Sequence, residues 1–409
     1  MNEKQVSRRD FMKTVGVVGV GSLVGTAGVL AQVAAPPPSA SPKSDNHRVP
    51  TRPFGRTGVN VSCLALGGIF DIVSNQLVLK QALDWGVTYW DTAAGYNGGK
   101  SELGIGAYFE KNPDTRKSVF LVTKASGAHT VTDMTAALNQ SLERMKTDYV
   151  DTYFLHGINS TDPLTPEVKA WAENMKSAKK IRFFGFSTHS NMEQCLAGAA
   201  RLGWIDVIMP MYNYRVMNTD TMKAAVDAAS RAGIGLTAMK TQGKRQKGEP
   251  SDAEAEVLTH FLGRGFTREQ ACLKVVWEDQ RISSICSQMP SLTVLSSNVA
   301  AALDKSSLAA EDRAALELHA VATRSLYCAG CTSLCENALD GRVPVGDVMR
   351  SLMYYHGYND RDLARSVFGT LPAATRQQLS AMDYSRAERA CPRGLPIASL
   401  MKEATELLA

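Results

Sequence analysis

A chain of 409 residues is long enough for one large domain and a smaller one. Lys and Arg outnumber Asp and Glu by 45 to 40, and the excess is spread along the sequence, so the basic stripe that nucleic acid requires is missing and nucleic acid is excluded as a partner. Hydrophobic residues make up 44%, an ordinary share for a soluble globular protein with a sizeable core.

Residues 1–35 differ in character from the rest. Ser7-Arg8-Arg9-Asp10-Phe11-Met12-Lys13 is followed by a charge-free, Gly-rich apolar run from Thr14 to about Ala35, then Pro36-Pro37-Pro38. Basic, apolar and small-residue segments in that order form an export signal, and the paired arginines resemble the twin-arginine type. The expectation is passage through the twin-arginine translocase to a periplasmic or other extracytoplasmic location. A membrane anchor competes with this reading, because the run approaches the ~20 residues that span a bilayer. Its glycines lower its hydrophobicity, and the alanines between Ala31 and Ala35 favour cleavage. Residues 36–50, rich in Pro, Ser and charge, form a linker.

From residue 51 to 304, short β-branched or aromatic runs alternate with amphipathic segments of helical length. Strands are expected to begin at Val61, Val87, Val119, Val150, Ile181, Asp206, Ile234 and Ile282, each followed by a helix. Eight such pairs in ~250 residues specify an α/β fold, a closed (β/α)8 TIM barrel, with an open doubly wound sheet as the alternative. Met134, Leu138, Leu142 and Met145 illustrate the helical periodicity and are expected in the core.

Barrel enzymes place their chemistry at the C-terminal ends of strands. Asp91 closes the second expected strand, Tyr96 follows in its loop, Lys124 closes the third and His156 the fourth. These types suit proton transfer at a carbonyl. A nearby ammonium lowers the pKa of a phenol from ~10, an aspartate holds the ammonium, and a histidine bonds the substrate oxygen. Each residue alone is more often a satisfied structural group. Together, in order on successive strands, they form a candidate catalytic set.

The segment from Val49 to Ala302 resembles the aldo/keto reductase family. Its DTAxxYxxxExxxG motif is matched by Asp91-Thr92-Ala93-Ala94-Gly95-Tyr96 and Ser101-Glu102-Leu103-Gly104, and its catalytic Asp, Tyr, Lys and His fall on Asp91, Tyr96, Lys124 and His156. The resemblance implies interconversion of a small carbonyl substrate and its alcohol, sugars included, with NADP or NAD carrying hydride and the tyrosine supplying the proton. It also assigns nucleotide contacts to Ser187, Thr188, Met239, Lys240 and Asn298.

That pocket departs from the family pattern. Thr188 replaces an asparagine, Met209 a glutamine and Met239 a ring-stacking aromatic, although methionine still covers a ring face. Gln288 stands at the usual glycine and Pro290 at the usual phosphate-binding basic residue, which weakens a preference for NADP and leaves open that no nucleotide binds. Asn298 has a helix cap as its plain structural reading.

After about Ala302 the alternation stops, and residues 305–409 form a small, mainly helical domain. It holds Cys328, Cys331 and Cys335, and later Cys391-Pro392. Three close thiolates and a distant Cys-Pro resemble the ligands of bacterial ferredoxins and imply an iron-sulfur cluster of the 4Fe-4S type, with a redox partner. Zinc and disulfides use the same residues and remain alternatives. Cys63, Cys195, Cys272 and Cys286 are expected as buried apolar residues. The run Leu352-Met353-Tyr354-Tyr355-His356-Gly357-Tyr358 is expected to pack, over the cluster or in the core, with electron transfer as its other reading.

Overall fold

The computed structural model describes residues 48–127, 130–247 and 252–409. The expected export signal at 1–35 and all but the end of the linker at 36–50 lie outside them. The strands are β1 (Thr51–Pro53), β2 (Asn60–Ser62), β3 (Leu64–Gly67), β4 (Tyr89–Asp91), β5 (Phe120–Ala125), β6 (Val150–Leu155), β7 (Ile181–Thr188), β8 (Val207–Pro210), β9 (Gly235–Met239) and β10 (Ser284–Gln288).

Strands β3 to β10 are parallel and close into a ring in sequence order, with Gln288 of β10 pairing Gly67 of β3. The open-sheet alternative is thereby ruled out. Each of the eight expected segments contains one barrel strand. The first also contributes β2, which pairs antiparallel with β1 in a hairpin that the sequence reading did not separate. Phe54, in the loop of this hairpin, is buried against Tyr89 and Phe120, so the hairpin closes one end of the barrel lumen. Further inside stand Val122, Phe154, Val207, Met209 and Met239, the packed interior expected of such a barrel.

The barrel's helices are α1 (Gln76–Asp84), α2 (Lys100–Lys111), α3 (Val131–Arg144), α4 (Pro166–Ser177), α5 (Met192–Leu202), α6 (Asp220–Arg231), α7 (Asp252–Gly263), α8 (Arg268–Trp277) and α9 (Leu292–Leu303). Sequence sets their starts. Thr130 with Asp133 and Thr267 with Gln270 form capping boxes, and Thr165, Thr219 and Ser291 each accept a first-turn N–H. Met134, Leu138, Leu142 and Met145 are buried at their helical spacing.

The C-terminal helices are α10 (Ala310–Ala322), α11 (Thr332–Asn337), α12 (Val345–Gly357), α13 (Arg361–Gly369), α14 (Ala373–Gln378), α15 (Ser385–Ala390) and α16 (Ile397–Leu408). Helix α10 packs on α7 and α8, and Leu308, Leu316, Ala320 and Tyr327 belong to the barrel's core. A separate core runs from Cys335 to Leu408. Packing therefore divides the chain between Tyr327 and Cys335, later than the change of sequence pattern at 304/305, because α10 spends its apolar stripe on the barrel. Among the described residues no helix is long and apolar enough to cross a membrane.

Candidate active site at the barrel mouth

Asp91 and Lys124 project from neighbouring strands, and both side chains are almost fully buried. Lys124 Nζ donates to Asp91 Oδ2 at 2.7 Å, to the Thr92 carbonyl at 2.8 Å and to Tyr96 Oη at 3.3 Å. The same ammonium stands 4.7 Å from the centre of the Tyr96 ring. His156 meets that ring edge-on, with centroids 5.7 Å apart, so the four expected residues come together.

The electrostatics differ from the sequence expectation in one respect. Burial raises the Tyr96 phenol above its ordinary range, and the Lys124 charge only partly offsets this. The expected lowering of the tyrosine therefore gives way to a phenol that stays protonated, an acid rather than a phenolate. Burial alone would depress Lys124, but the Asp91 carboxylate beside it holds the ammonium above its usual value. Burial also raises Asp91 despite Lys124 and the nearby Cys286 thiol, and among the described residues Asp91 Oδ1 has no hydrogen-bond partner. Burial, then Lys124, Arg350 and Lys240, push His156 well down, so its imidazole is neutral.

Neighbours missed by the sequence reading hold these groups in place. Ser126 Oγ bonds His156 Nδ1 at 2.9 Å, which orients the ring and leaves Nε2 for a substrate oxygen. Glu102, the acidic member of the motif, is buried rather than reactive. It accepts from Thr123 at 2.7 Å and from Arg144 at 3.3 Å, while Arg144 also donates to the Ala94 carbonyl, bracing the loop that carries Tyr96. Cys286 corrects another expectation: it is only half-buried and lies beside Asp91, and burial followed by the Asp91 charge raises its thiol strongly.

The residues assigned to a nucleotide are buried by protein alone. Thr188 is 0% exposed, Ser187 1%, Asn298 2% and Met239 8%. Thr188 Oγ1 donates to the Ser190 carbonyl, Ser187 Oγ accepts from Gly157 N–H, and the Asn298 amide donates to Ser287 Oγ. Lys240 Nζ donates to Tyr354 Oη at 2.9 Å and lies 4.2 Å from that ring's centre. Tyr327 of the tail accepts from Asn213 and contacts the Met211 sulfur. The C-terminal segment thus packs against the ends of β7 to β9, where the residues assigned to a nucleotide lie. The aromatic run packs as expected: Tyr354 reaches the mouth, and Leu352, Met353 and Tyr354 share a core with Cys335, against which Cys328 and Cys391 also pack.

Cys328, Cys331, Cys335 and Cys391 line a single small cavity of ≈ 20 Å³, with Thr332, Val345, Pro392 and Ile397 around it. All four are free thiols, as are the four cysteines elsewhere, and Cys63, Cys195 and Cys272 are buried as expected. Among the described residues no three His, Cys, Asp or Glu side chains are gathered as a metal ion requires. The cavity adjoins the barrel mouth: Asn191 N–H donates to the Gly330 carbonyl, and Asn191 Oδ1 accepts from Ser333 N–H. Gly330 has φ +78°, and a Cβ there would lie 2.3 Å from the His189 carbonyl, so only glycine permits this approach.

Comparison with known proteins agrees with the geometry. Residues 70–261 match the sequence profile of the aldo/keto reductase family. The chain is 24% identical to L-galactose dehydrogenase of Arabidopsis thaliana over 302 residues, covering 67% of this chain and 94% of that protein. It is 30% identical over 156 residues to the Schizosaccharomyces pombe aldo-keto reductase yakc, whose name carries NADP(+), covering 34% of this chain and 45% of that one. In fold it resembles the holo form of aldo-keto reductase AKR11C1 from Bacillus halodurans, with TM-score 0.56 and 20% identity over 69% of this chain and 98% of that one.

Proposed function

We propose that the chain is an oxidoreductase of the aldo/keto reductase family, whose profile residues 70–261 match, and that it interconverts a small carbonyl compound and its alcohol, with Tyr96 as the proton donor. The observation that carries this reading is the single ammonium of Lys124 shared between Asp91 and Tyr96, with His156 against the tyrosine ring. In the reducing direction the phenol, kept protonated by burial, gives its proton to the oxygen of the carbonyl as the carbon receives hydride. Lys124 supports the negative charge left on Tyr96, and Asp91 keeps the ammonium in place. His156, neutral and oriented by Ser126, offers Nε2 to the same oxygen.

The reductant in this reading is NADPH or NADH, on the strength of the family and the NADP(+) in yakc's name. The tail packs against the strand ends where the assigned residues lie. Four thiols around one cavity support a 4Fe-4S cluster bound by Cys328, Cys331, Cys335 and Cys391, which would exchange electrons with a redox partner. The twin-arginine pattern at Arg8-Arg9 supports export to the periplasm.

The test is to purify the protein from a cell with intact cluster assembly, assay iron and acid-labile sulfide, and follow aldehyde-dependent oxidation of added NADPH and NADH. Turnover that disappears in Tyr96→Phe is the expected result. Absence of nucleotide binding with iron present would favour a second reading, an electron-transfer protein on a barrel that no longer binds nucleotide. The burial of Ser187, Thr188 and Asn298 is the observation on that side.

A further inference from the structure

Helix α12 comes from outside the barrel, yet it runs across the barrel's reaction mouth. Three contacts fix its course. A Cβ on Gly346 would meet Ser190 Oγ at 3.2 Å, Tyr354 Oη accepts from Lys240, and a Cβ on Gly357 would lie 2.7 Å from the Arg245 carbonyl. Residues 346, 350 and 354 are spaced four apart and share one face of the helix. Arg350 therefore lies along the helix between the contact on Ser190 and the contact on Lys240, and its charge reaches His156 and His189.

The charges at this mouth do not balance. Lys124 is matched by Asp91, but among the described residues Lys240 has a phenol as its partner and no carboxylate. Arg350 pairs with Asp347 at 3.2 Å, yet that carboxylate is 45% exposed and well screened by water. We propose that Arg350, Lys240 and Tyr354 form an anion seat beside Tyr96 and His156, so that the C-terminal segment completes the reaction site and the carbonyl substrate carries a carboxylate. The seat deepens the carbonyl-oxidoreductase reading and rests on it for the word substrate.

The positive field of these two cations bears on three neighbouring groups. Burial alone would raise Tyr354, but Lys240 and then Arg350 bring it below its ordinary value. Burial followed by Arg350 and Lys240 drives His189 well down, and the same two cations add to burial at His156. A carboxylate here would gain charge-assisted hydrogen bonds from Arg350 and Lys240, and such bonds are about twice as strong as neutral ones. It would leave its carbonyl near Tyr96 for proton transfer.

Two probe pairs test this, each an acid against its neutral ester: pyruvate with methyl pyruvate, and 4-carboxybenzaldehyde with methyl 4-formylbenzoate. Binding to the whole holoprotein is read by calorimetry, with NADPH as a separate arm. The proposal expects at least one acid to bind ~10-fold or more tightly than its ester, and expects Arg350→Met and Lys240→Met each to erase that preference. Arg350→Lys should restore part of it, and the two sites lie on different elements, so one poorly folding variant does not silence the test. Equal binding of acid and ester by the wild type would overturn the seat, as would a preference that survives both variants. It is equally overturned if the variants weaken NADPH alone, since the cations would then serve a nucleotide phosphate. Tyr96→Phe should keep the preference and lose turnover. A preference with no turnover of any carbonyl in the wild type would uphold the seat and sink the oxidoreductase reading instead.

Discussion

Replacing Lys124 with methionine removes one partner of an ion pair whose side chains are 1% and 3% exposed. Asp91 Oδ2 then loses its 2.7 Å donor, Oδ1 has none among the described residues, and the Thr92 carbonyl and Tyr96 hydroxyl each lose the Lys124 ammonium. Breaking a buried pair from one side costs about 3–5 kcal/mol, because the remaining charge is neither solvated nor paired. Urea unfolding at neutral pH should show a loss of that size. The deficit should also depend on pH. Burial already raises Asp91 in the folded protein, and removing the cation raises it further, so the folded state binds the extra proton over a wider range above the unfolded value of ~3.9. Stability in that range falls as pH rises, and the variant's deficit should shrink as pH drops toward ~4. Adding Asp91→Asn to Lys124→Met should recover much of the loss. A deficit below about 1 kcal/mol, or a double variant as unstable as the single, would refute the view that Asp91 is a buried charge relying on Lys124.

Tyr96→Phe should lower the rate of carbonyl reduction by about 10²–10⁴-fold with substrate affinity nearly kept, measured by steady-state kinetics against direct binding. In the alcohol-oxidising direction the phenolate is needed, and since burial raises Tyr96, that rate should keep climbing with pH up to and beyond ~10 while reduction stays flat over the neutral range. Glu102→Gln weakens the brace from Arg144 to the Tyr96 loop, so turnover should fall more than binding, and a kinetic profile indistinguishable from wild type would count against that role. Cys328→Ser and Cys391→Ser, both lining the cavity, should each reduce iron and sulfide content, whereas Cys63→Ser should not.

The barrel and its quartet were legible because both depend on local pattern. Strand ends are marked by where β-branched runs stop, and Asp91, Lys124 and His156 sit at those stops with chemically informative side chains. The acidity of Tyr96 was not legible: a sequence displays the neighbouring cation but not the burial that outweighs it. Ser126 carries no signature of its own, and Cys286 looks like any small apolar residue in a strand. Helix α10 has an amphipathic stripe that would read the same against either core, which is why the change of pattern at 304/305 precedes the change of packing after Tyr327. Arg350 and Tyr354 lie in a run whose spacing suits ordinary packing, and only the fold brings Tyr354 onto Lys240.

The ring of strands closes through pairing of Gly67 with Gln288, the most widely separated register in the barrel. A ribosome-bound chain therefore cannot seal the barrel until its last strand has emerged, and non-local closure of this kind is slow. Helix α12 emerges later still and docks on groups that β7 and β9 have already positioned. An unfinished or clipped chain ending before it would hold the whole proton-transfer quartet under an uncovered mouth, without Arg350 or Tyr354. Such a species would have the chemistry before it had the selectivity, and the order of synthesis would decide which came first.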